Sequence, residues 1–174
     1  ALSASVSVGA APLAVTLDAS SSSDPDGSIA AYRWDWEGDG HVDSTSTAAA
    51  VGHTFAAGVH RPRVSVIDDK GLASASVSVE IRASNPPTAS ASAPKNGKSG
   101  QAVTFDASGS TDSDGSIVAY EWNFGDGSPV VTTTTPTIAR AYTVSHPTVM
   151  GWSVKVIDDA GVSDATSGSI KITP

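Results

Sequence analysis

Residues 14–36 read AVTLDASSSSDPDGSIAAYRWDW, and residues 102–124 read AVTFDASGSTDSDGSIVAYEWNF. The two stretches stand at an offset of 88. Further on, VSVIDDKG at 64–71 returns as VKVIDDAG at 154–161, now at an offset of 90. The chain of 174 residues therefore carries one unit twice, with a small drift absorbed in loops. Each unit runs to about 85–90 residues, enough to close a core without stacked neighbours. The reading gives two homologous domains, 1–84 and 85–174. They join at RASNPPT, residues 82–88, where Pro86 and Pro87 lack N–H donors and stiffen the backbone toward an extended form.

Within a unit the hydrophobic period is two. Leu13, Val15 and Leu17 alternate with small or polar residues, as do Val103 and Phe105. Tyr32, Trp34 and Trp36 share one strand face, and Tyr120, Trp122 and Phe124 share its counterpart. Val64 and Val66, then Trp152, Val154 and Val156, repeat the pattern; Val77, Val79 and Ile81, and later Ile170 and Ile172, supply last strands. Such alternation, broken by clusters of Gly, Asp, Asn and Ser, predicts half-buried antiparallel strands. Six or seven short strands per unit predict an all-β chain of two tandem immunoglobulin-like antiparallel β-sandwiches, without the disulfide of that fold.

Composition narrows the function classes. Ten Lys and Arg against 18 Asp and Glu give a net charge of −8, with a pI near 4.7. Neutralising phosphates needs a basic surface, so a nucleic-acid partner is excluded. No apolar run reaches the roughly 18 residues of a membrane-spanning helix, so insertion is not expected. The absence of Cys rules out disulfide staples and thiolate zinc sites. The first residue is Ala1 rather than Met, which fits a processed or excised piece of a longer protein.

The residues also carry a family resemblance. Tyr32-Arg33-Trp34-Asp35-Trp36-Glu37-Gly38-Asp39-Gly40 and Tyr120-Glu121-Trp122-Asn123-Phe124-Gly125-Asp126-Gly127 resemble the Tyr-x-Trp-Asp-Phe-Gly-Asp-Gly signature of PKD (polycystic kidney disease-type) domains. The upstream Ser-x-Asp-x-Asp-Gly loop, the downstream Val-x-Val-x-Asp-x-x-Gly element and the Asn85-Pro86-Pro87 start match as well. Two positions depart from it: Glu37 brings an extra residue into the first loop, and Asn123 stands where Asp is usual. The resemblance implies an Ig-like sandwich from a large secreted or cell-surface protein. It also implies a non-catalytic spacer and protein-interaction element, whose partners are other domains of the parent and extracellular protein or polysaccharide. A carbohydrate- or matrix-binding module and a self-assembling filament or surface-layer subunit stand as alternatives.

Catalytic chemistry finds no motif. His41, His53, His60 and His146 lie in different elements without zinc-ligand spacing, and there is no nucleophile elbow or P-loop. The carboxylates carry more. Asp and Gly are good turn residues, and one Asp in a loop needs no further role. In an Ig-like sandwich, however, the N-terminus and two of the loops gather at one end. That brings Asp24 and Asp26 toward Asp68 and Asp69, and Asn85, Asp112 and Asp114 toward Asp158 and Asp159. Clustered carboxylates repel unless a hard cation neutralises them, and Ca²⁺ takes roughly six to eight oxygens in flexible geometry. These nine residues are the candidate metal ligands, with the second unit the better site for its linker Asn85. Asp35–Asp43 imitates part of an EF-hand loop but has Ser46 at the place of the bidentate Glu, and reads better as an acidic turn. Among the aromatics, Trp34, Trp36 and Trp122 belong to inward faces. Trp152 aligns with Pro62 and is expected at the surface, where a ring could stack on a sugar.

Overall fold

Strands with an apolar face on every second residue must bury that face against another sheet, and each unit does so. The computed structural model describes residues 1–174, which divide into Ala1–Ser84 and Asn85–Pro174. The first unit runs β1 (Ser3–Ala4), β2 (Val8–Ala10), β3 (Leu13–Asp18), β4 (Ile29–Asp35), β5 (Ser44–Ser46), β6 (Ala50–Phe55), β7 (Gly58–His60), β8 (Arg63–Asp68), β9 (Val77–Ser78) and β10 (Ile81–Ser84). The second runs β11 (Asn96–Lys98), β12 (Ala102–Asp106), β13 (Ile117–Asn123), β14 (Val131–Thr133), β15 (Thr137–Ala141), β16 (Thr148–Asp158) and β17 (Ser163–Thr173). There is no helix, so no helix is long and apolar enough to cross a membrane.

In the first unit β1-β3-β6 form one sheet, β5-β4-β8-β9 another, and β2-β10-β7 a third. In the second unit β12 pairs with β15, and the sheet β11-β17-β16-β13-β14 is continuous. Neighbours are antiparallel except β2 with β10 and β11 with β17, where a short early strand runs parallel to the last strand of its unit. The fold is the all-β sandwich that the period of two implies.

Each unit has its own core. Trp34, Leu17, Val15, Phe55, Val64 and Ile81 are buried in the first, and Trp122, Phe105, Phe124, Val154, Val156 and Ile172 in the second. One irregularity distinguishes the first unit from the second. Ile67 faces Ala73 and Val64 faces Val77, so one extra residue lies on the later strand. In the second unit the same span, Ile157 to Ser163 and Val154 to Thr166, keeps even register. The insertion is a β-bulge, which sets Val77 opposite buried Val64, on the face it shares with Val79 and Ile81; there it lines an open groove with Val64 and Val66 and is 42% exposed.

Candidate functional site

In the first unit the loop after β3 and the turn after β8 are tied together by backbone. Asp69 N–H donates to Ser28 O (2.9 Å). Asp24 Oδ1 accepts from Asp26 N–H (3.3 Å), while Asp24 Oδ2 is buried without a hydrogen-bond partner. A Cβ on Gly27 would lie 2.5 Å from Asp69 Oδ1 and 2.7 Å from Asp24 Oδ2, so only glycine lets those two carboxylates converge there. Asp68 is turned away: its Oδ1 accepts from Lys70 N–H (2.9 Å) and Leu72 N–H (2.7 Å), closing the turn through Gly71 at φ +83°. The Lys70 ammonium reaches across to Asp26 Oδ2 (2.5 Å) and Asp26 O (3.1 Å). That ammonium, followed by the contact with Asp24, holds the Asp26 carboxyl below the usual carboxylate range.

The second unit repeats the frame with different charges. Asp112 Oδ1 accepts from Asp114 N–H (3.3 Å), and Asp112 Oδ2 is again buried and unpartnered. Asp114 Oδ2 accepts from Asn85 N–H (3.0 Å) and Asn85 Nδ2 (3.3 Å), which fastens the start of the unit to this loop. Asp159 N–H donates to Ser116 O (2.9 Å) and Asp159 Oδ1 accepts from Ser116 N–H (3.2 Å). Asp158 is 1% exposed, and its Oδ1 caps the turn amides of Ala160 (2.9 Å) and Val162 (2.7 Å).

The geometry therefore brings Asp24, Asp26 and Asp69 to one end of the first unit, and Asn85, Asp112 and Asp114 to one end of the second, with Asp159 held beside them through Ser116. It directs one oxygen each of Asp68 and Asp158 to turn amides instead. The donor sets differ in their fit to calcium. In the first unit Lys70 already supplies a positive charge at Asp26. In the second the corresponding residue is Ala160, and an all-oxygen set with a buried orphan oxygen on Asp112 suits a hard cation.

The other acidic loop is a locked turn. Asp35, 6% exposed, accepts from Gly38 N–H (2.6 Å) and Asp39 N–H (3.1 Å) on Oδ1 and from Gly40 N–H (2.8 Å) on Oδ2. Asp43 Oδ2 accepts from Trp36 N–H (2.7 Å). Asp35, Glu37 and Asp43 each bring a carboxylate oxygen within 4.8 Å of the others, but two of the three are spent on backbone amides. In the second unit Asn123 makes only the bond from Gly125 N–H (2.9 Å).

The aromatic residues require a correction. Trp152, expected at the surface, is 5% exposed and packs edge-on against Phe105 with ring centroids 5.5 Å apart. Gly168, opposite it on β17, has no side chain, and a Cβ there would lie 2.5 Å from the indole. In the first unit Pro62 takes the place of Trp152 and is also buried, facing Val79. A large residue against glycine thus replaces proline against valine. Trp36 offers no open ring face either: Trp34 stacks on one side (5.5 Å, 8°) and His53 lies parallel to it (4.4 Å, 9°).

Sequence reasoning also missed a cross-strand cluster in the second unit. Arg140 donates from Nε (2.8 Å) and Nη2 (2.5 Å) to Asp126 Oδ2 while its guanidinium lies 5.2 Å from the Phe124 ring centroid. Tyr142 O–H donates to Phe124 O (3.1 Å). Burial, then the Asp126 charge, pushes the Tyr142 phenol up to about 12. The first unit has His53 and Phe55 at these two places, as the pairings of Val15 with His53 and Val103 with Arg140 show. That offset was the available signal.

Comparison with known proteins agrees with this architecture. The sequence profile of the PKD domain matches residues 4–83 and again 84–173. The fibronectin(III)-like modules of Clostridium thermocellum CbhA are similar over 99% of this chain and 93% of theirs, at 20% identity and a TM-score of 0.56. That likeness shows the sandwich fold. A structure of carbohydrate-binding modules of the β-sandwich superfamily is similar at 37% identity over 51% of this chain, with a TM-score of 0.48; the match spans 35% of that protein's length. The PKD1 domain of the Vibrio cholerae metalloprotease PrtV is 31% identical over 51% of this chain and 99% of its own, with a TM-score of 0.41. With the signature loops present twice and the profile matching both halves, the chain belongs to the PKD-domain family as two tandem domains.

Proposed function

We propose that the chain is a non-catalytic accessory module of a larger secreted or cell-surface protein, serving as a spacer and protein-interaction element. The observation that carries this reading is where the polar loop groups are spent. Asp35, Asp43, Asp68, Asp158 and Asp159 all accept from backbone amides of their own unit. They stiffen turns at the ends of two separately closed cores. PKD domains are generally non-catalytic, and the extracellular placement rests on the family. Burial of Trp152 and the covered faces of Trp36 remove the aromatic platform that the polysaccharide-binding alternative needs.

Pulling single chains from both ends tests the spacer. Two separate unfolding events are expected, each releasing about 300 Å of contour from some 85–90 residues at roughly 3.5 Å each. One merged event would overturn independent units. Retention of the chain on chitin, cellulose or collagen would favour the matrix-binding alternative instead.

Calcium belongs to the same reading, narrowed to the second unit, with Asp112 and Asp114 as the central ligands and Asn85 and Asp159 beside them, while Asp158 serves the turn. Its role there is to neutralise the carboxylates and stiffen the start of the unit. Native-state binding at a dissociation constant of about 10⁻⁴–10⁻³ M stabilises by about 1–2 kcal/mol in roughly 5 mM Ca²⁺. Melting the chain in chelator and in calcium checks this, with Asp112→Asn/Asp114→Asn as the control. Superimposable curves would reduce these loops to turns.

A further inference from the structure

The outer face of the sheet β5-β4-β8-β9 carries two unspent positive charges. In this chain of net charge −8 the other arginines are engaged: Arg61 pairs with Glu80 (2.6 Å), Arg140 with Asp126 (2.5 Å), and Arg82 is not free either. The guanidiniums of Arg33 and Arg63 form neither a hydrogen bond nor an ion pair. Arg33 stands opposite Ser65, and Arg63 opposite Asp35, so the two arginines are diagonal neighbours on adjacent strands. Positions so related lie roughly 7–8 Å apart, close enough for two long side chains to converge on one group.

Between them is a hollow of about 70 Å³, lined also by Asp35, Gly40, Val42, Ser65 and Ser76. Ser76 comes from the bulged stretch between Ala73 and Val77, and Val42, 51% exposed, forms an apolar wall. The volume is that of about two water molecules at roughly 30 Å³ each, enough for a carboxylate group and too small for a sugar ring. Two carboxylates of the chain lie near it, and both are committed elsewhere. Asp35 is buried and takes the amides of Gly38, Asp39 and Gly40. Asp39 pairs with His41 (3.2 Å) and feels the Arg63 charge without forming an ion pair with it. The second unit balances the same face internally. At the places of Arg33 and Ser65 it has Glu121 and Lys155, opposite each other and joined by an ion pair (3.2 Å), and the place of Arg63 is taken by Ser153. The first unit thus has the cations of such a face without a free carboxylate to meet them.

We propose that the hollow between Arg33 and Arg63 is a docking site for the side-chain carboxylate of a Glu or Asp in an acidic segment of a partner protein. The guanidinium fork matches a carboxylate with two parallel hydrogen bonds, the Ser65 and Ser76 hydroxyls stand ready as further donors, and Val42 packs against the methylenes of the incoming side chain. The glutamate that the second unit supplies to its own face sets the chemistry of the missing group. The inference names the partner's chemistry within the protein-interaction role proposed above and rests on that reading.

The test titrates the full chain with the capped peptide Gly-Glu-Gly-Glu-Gly, its counterpart Gly-Gln-Gly-Gln-Gly and a short oligouronate, read by NMR of the arginine Nε–H groups. The Glu peptide is expected to shift the Arg33 and Arg63 signals, and the Gln peptide to leave them in place. Binding should weaken with added salt, as the screening length falls from about 30 Å at 0.01 M to about 3 Å at 1 M. Arg33→Gln/Arg63→Gln, on an outward face, should weaken binding by roughly tenfold or more. Arg61→Gln, whose guanidinium is spent on Glu80, should leave it unchanged. No shift with the Glu peptide, or binding that survives the double change or falls equally in Arg61→Gln, would overturn the proposal and leave the spacer reading to the pulling experiment. Tighter binding of the oligouronate than of the Glu peptide would overturn the proposal and the protein-interaction reading with it.

Discussion

Two glycines of one loop separate the cost of an unusual backbone angle from the cost of a collision. Gly125 (φ +69°) and Gly127 (φ +80°) both lie in the left-handed region, where a residue with a Cβ loses about 1–2 kcal/mol. Their surroundings differ. A Cβ on Gly125 would run into the carbonyl of Gly151, whereas one on Gly127 meets no heavy atom within 4 Å. Gly151 is in the body of β16, paired to Ser169 of β17, so its carbonyl cannot swing aside without moving the five-stranded sheet. Forced overpacking of that kind costs about 1–3 kcal/mol more. Gly127→Ala should therefore cost about 1–2 kcal/mol and Gly125→Ala about 2–5 kcal/mol. For a unit of this size the larger loss lowers the melting temperature by roughly 10 °C or more. Urea unfolding and calorimetry of the full chain read it, with the unaltered first unit as reference. The experiment repeats in the first unit, where Gly38 (φ +72°) faces the Arg61 carbonyl and Gly40 (φ +96°) is open. Equal losses within each pair would refute the reasoning from close approach.

Trp34→Ala and Trp122→Ala, at two fully buried positions, should each cost about 3–5 kcal/mol, confined to the unit that carries the change. A loss under about 1 kcal/mol in denaturant titration would contradict the core assignment. Asp35→Ala strips three turn amides of their acceptor and should cost about 1–3 kcal/mol, measured in the same way. The corresponding change at Asn123, which holds one amide, should cost less. Asp126 gives the second unit an acid limb. Burial opposes its ionisation, but Ser128 and the Arg140 guanidinium outweigh burial and hold the carboxyl below the ordinary range. A depressed folded pKa means that the contribution is present above the unfolded value near 3.9 and is lost as pH falls through the folded one. Urea midpoints of the second unit should therefore drop below about pH 4, and Asp126→Asn should flatten that drop; an unchanged slope would assign it to other carboxylates.

Much of the fold was legible because the same information is written twice. A period of two, repeated at a fixed offset, places Trp34 and Trp122 in the core without any knowledge of partners. Cross-strand facts were not legible in this way. Trp152 looked external because its aligned residue is Pro62, and nothing near it in sequence says that Gly168 lies opposite and leaves room for an indole. Val77 keeps the face that alternation with Val79 and Ile81 gives it, opposite Val64, yet is 42% exposed because it borders an open groove, which alternation alone does not reveal. The acidic loops were found from spacing, which local turns preserve. Lys70 was visible as a residue, but its pairing with Asp26 is between positions 44 apart and depends on how two loops meet.

The two units diverge most where they present polar groups, and the divergences compensate locally. At the loop end, a lysine that neutralises an aspartate in the first unit gives way to an alanine, with an asparagine from the start of the second unit bonding the equivalent Asp114. On the opposite face of the core, Arg140 lies over Phe124 and pairs with Asp126, where the first unit sets His53 flat against Trp36. In each case an aromatic or carboxylate keeps a partner while the chemistry of that partner changes. Core positions such as Trp34 and Trp122 tolerate no such exchange, since a buried indole has to fill one fixed volume. Within this chain the two copies therefore keep the same residue at these core positions while the partners of their polar groups differ. Under the spacer role we propose, units that meet different neighbours are free to differ at their polar loops, whereas a filament built from equivalent contacts calls for those loops to stay alike.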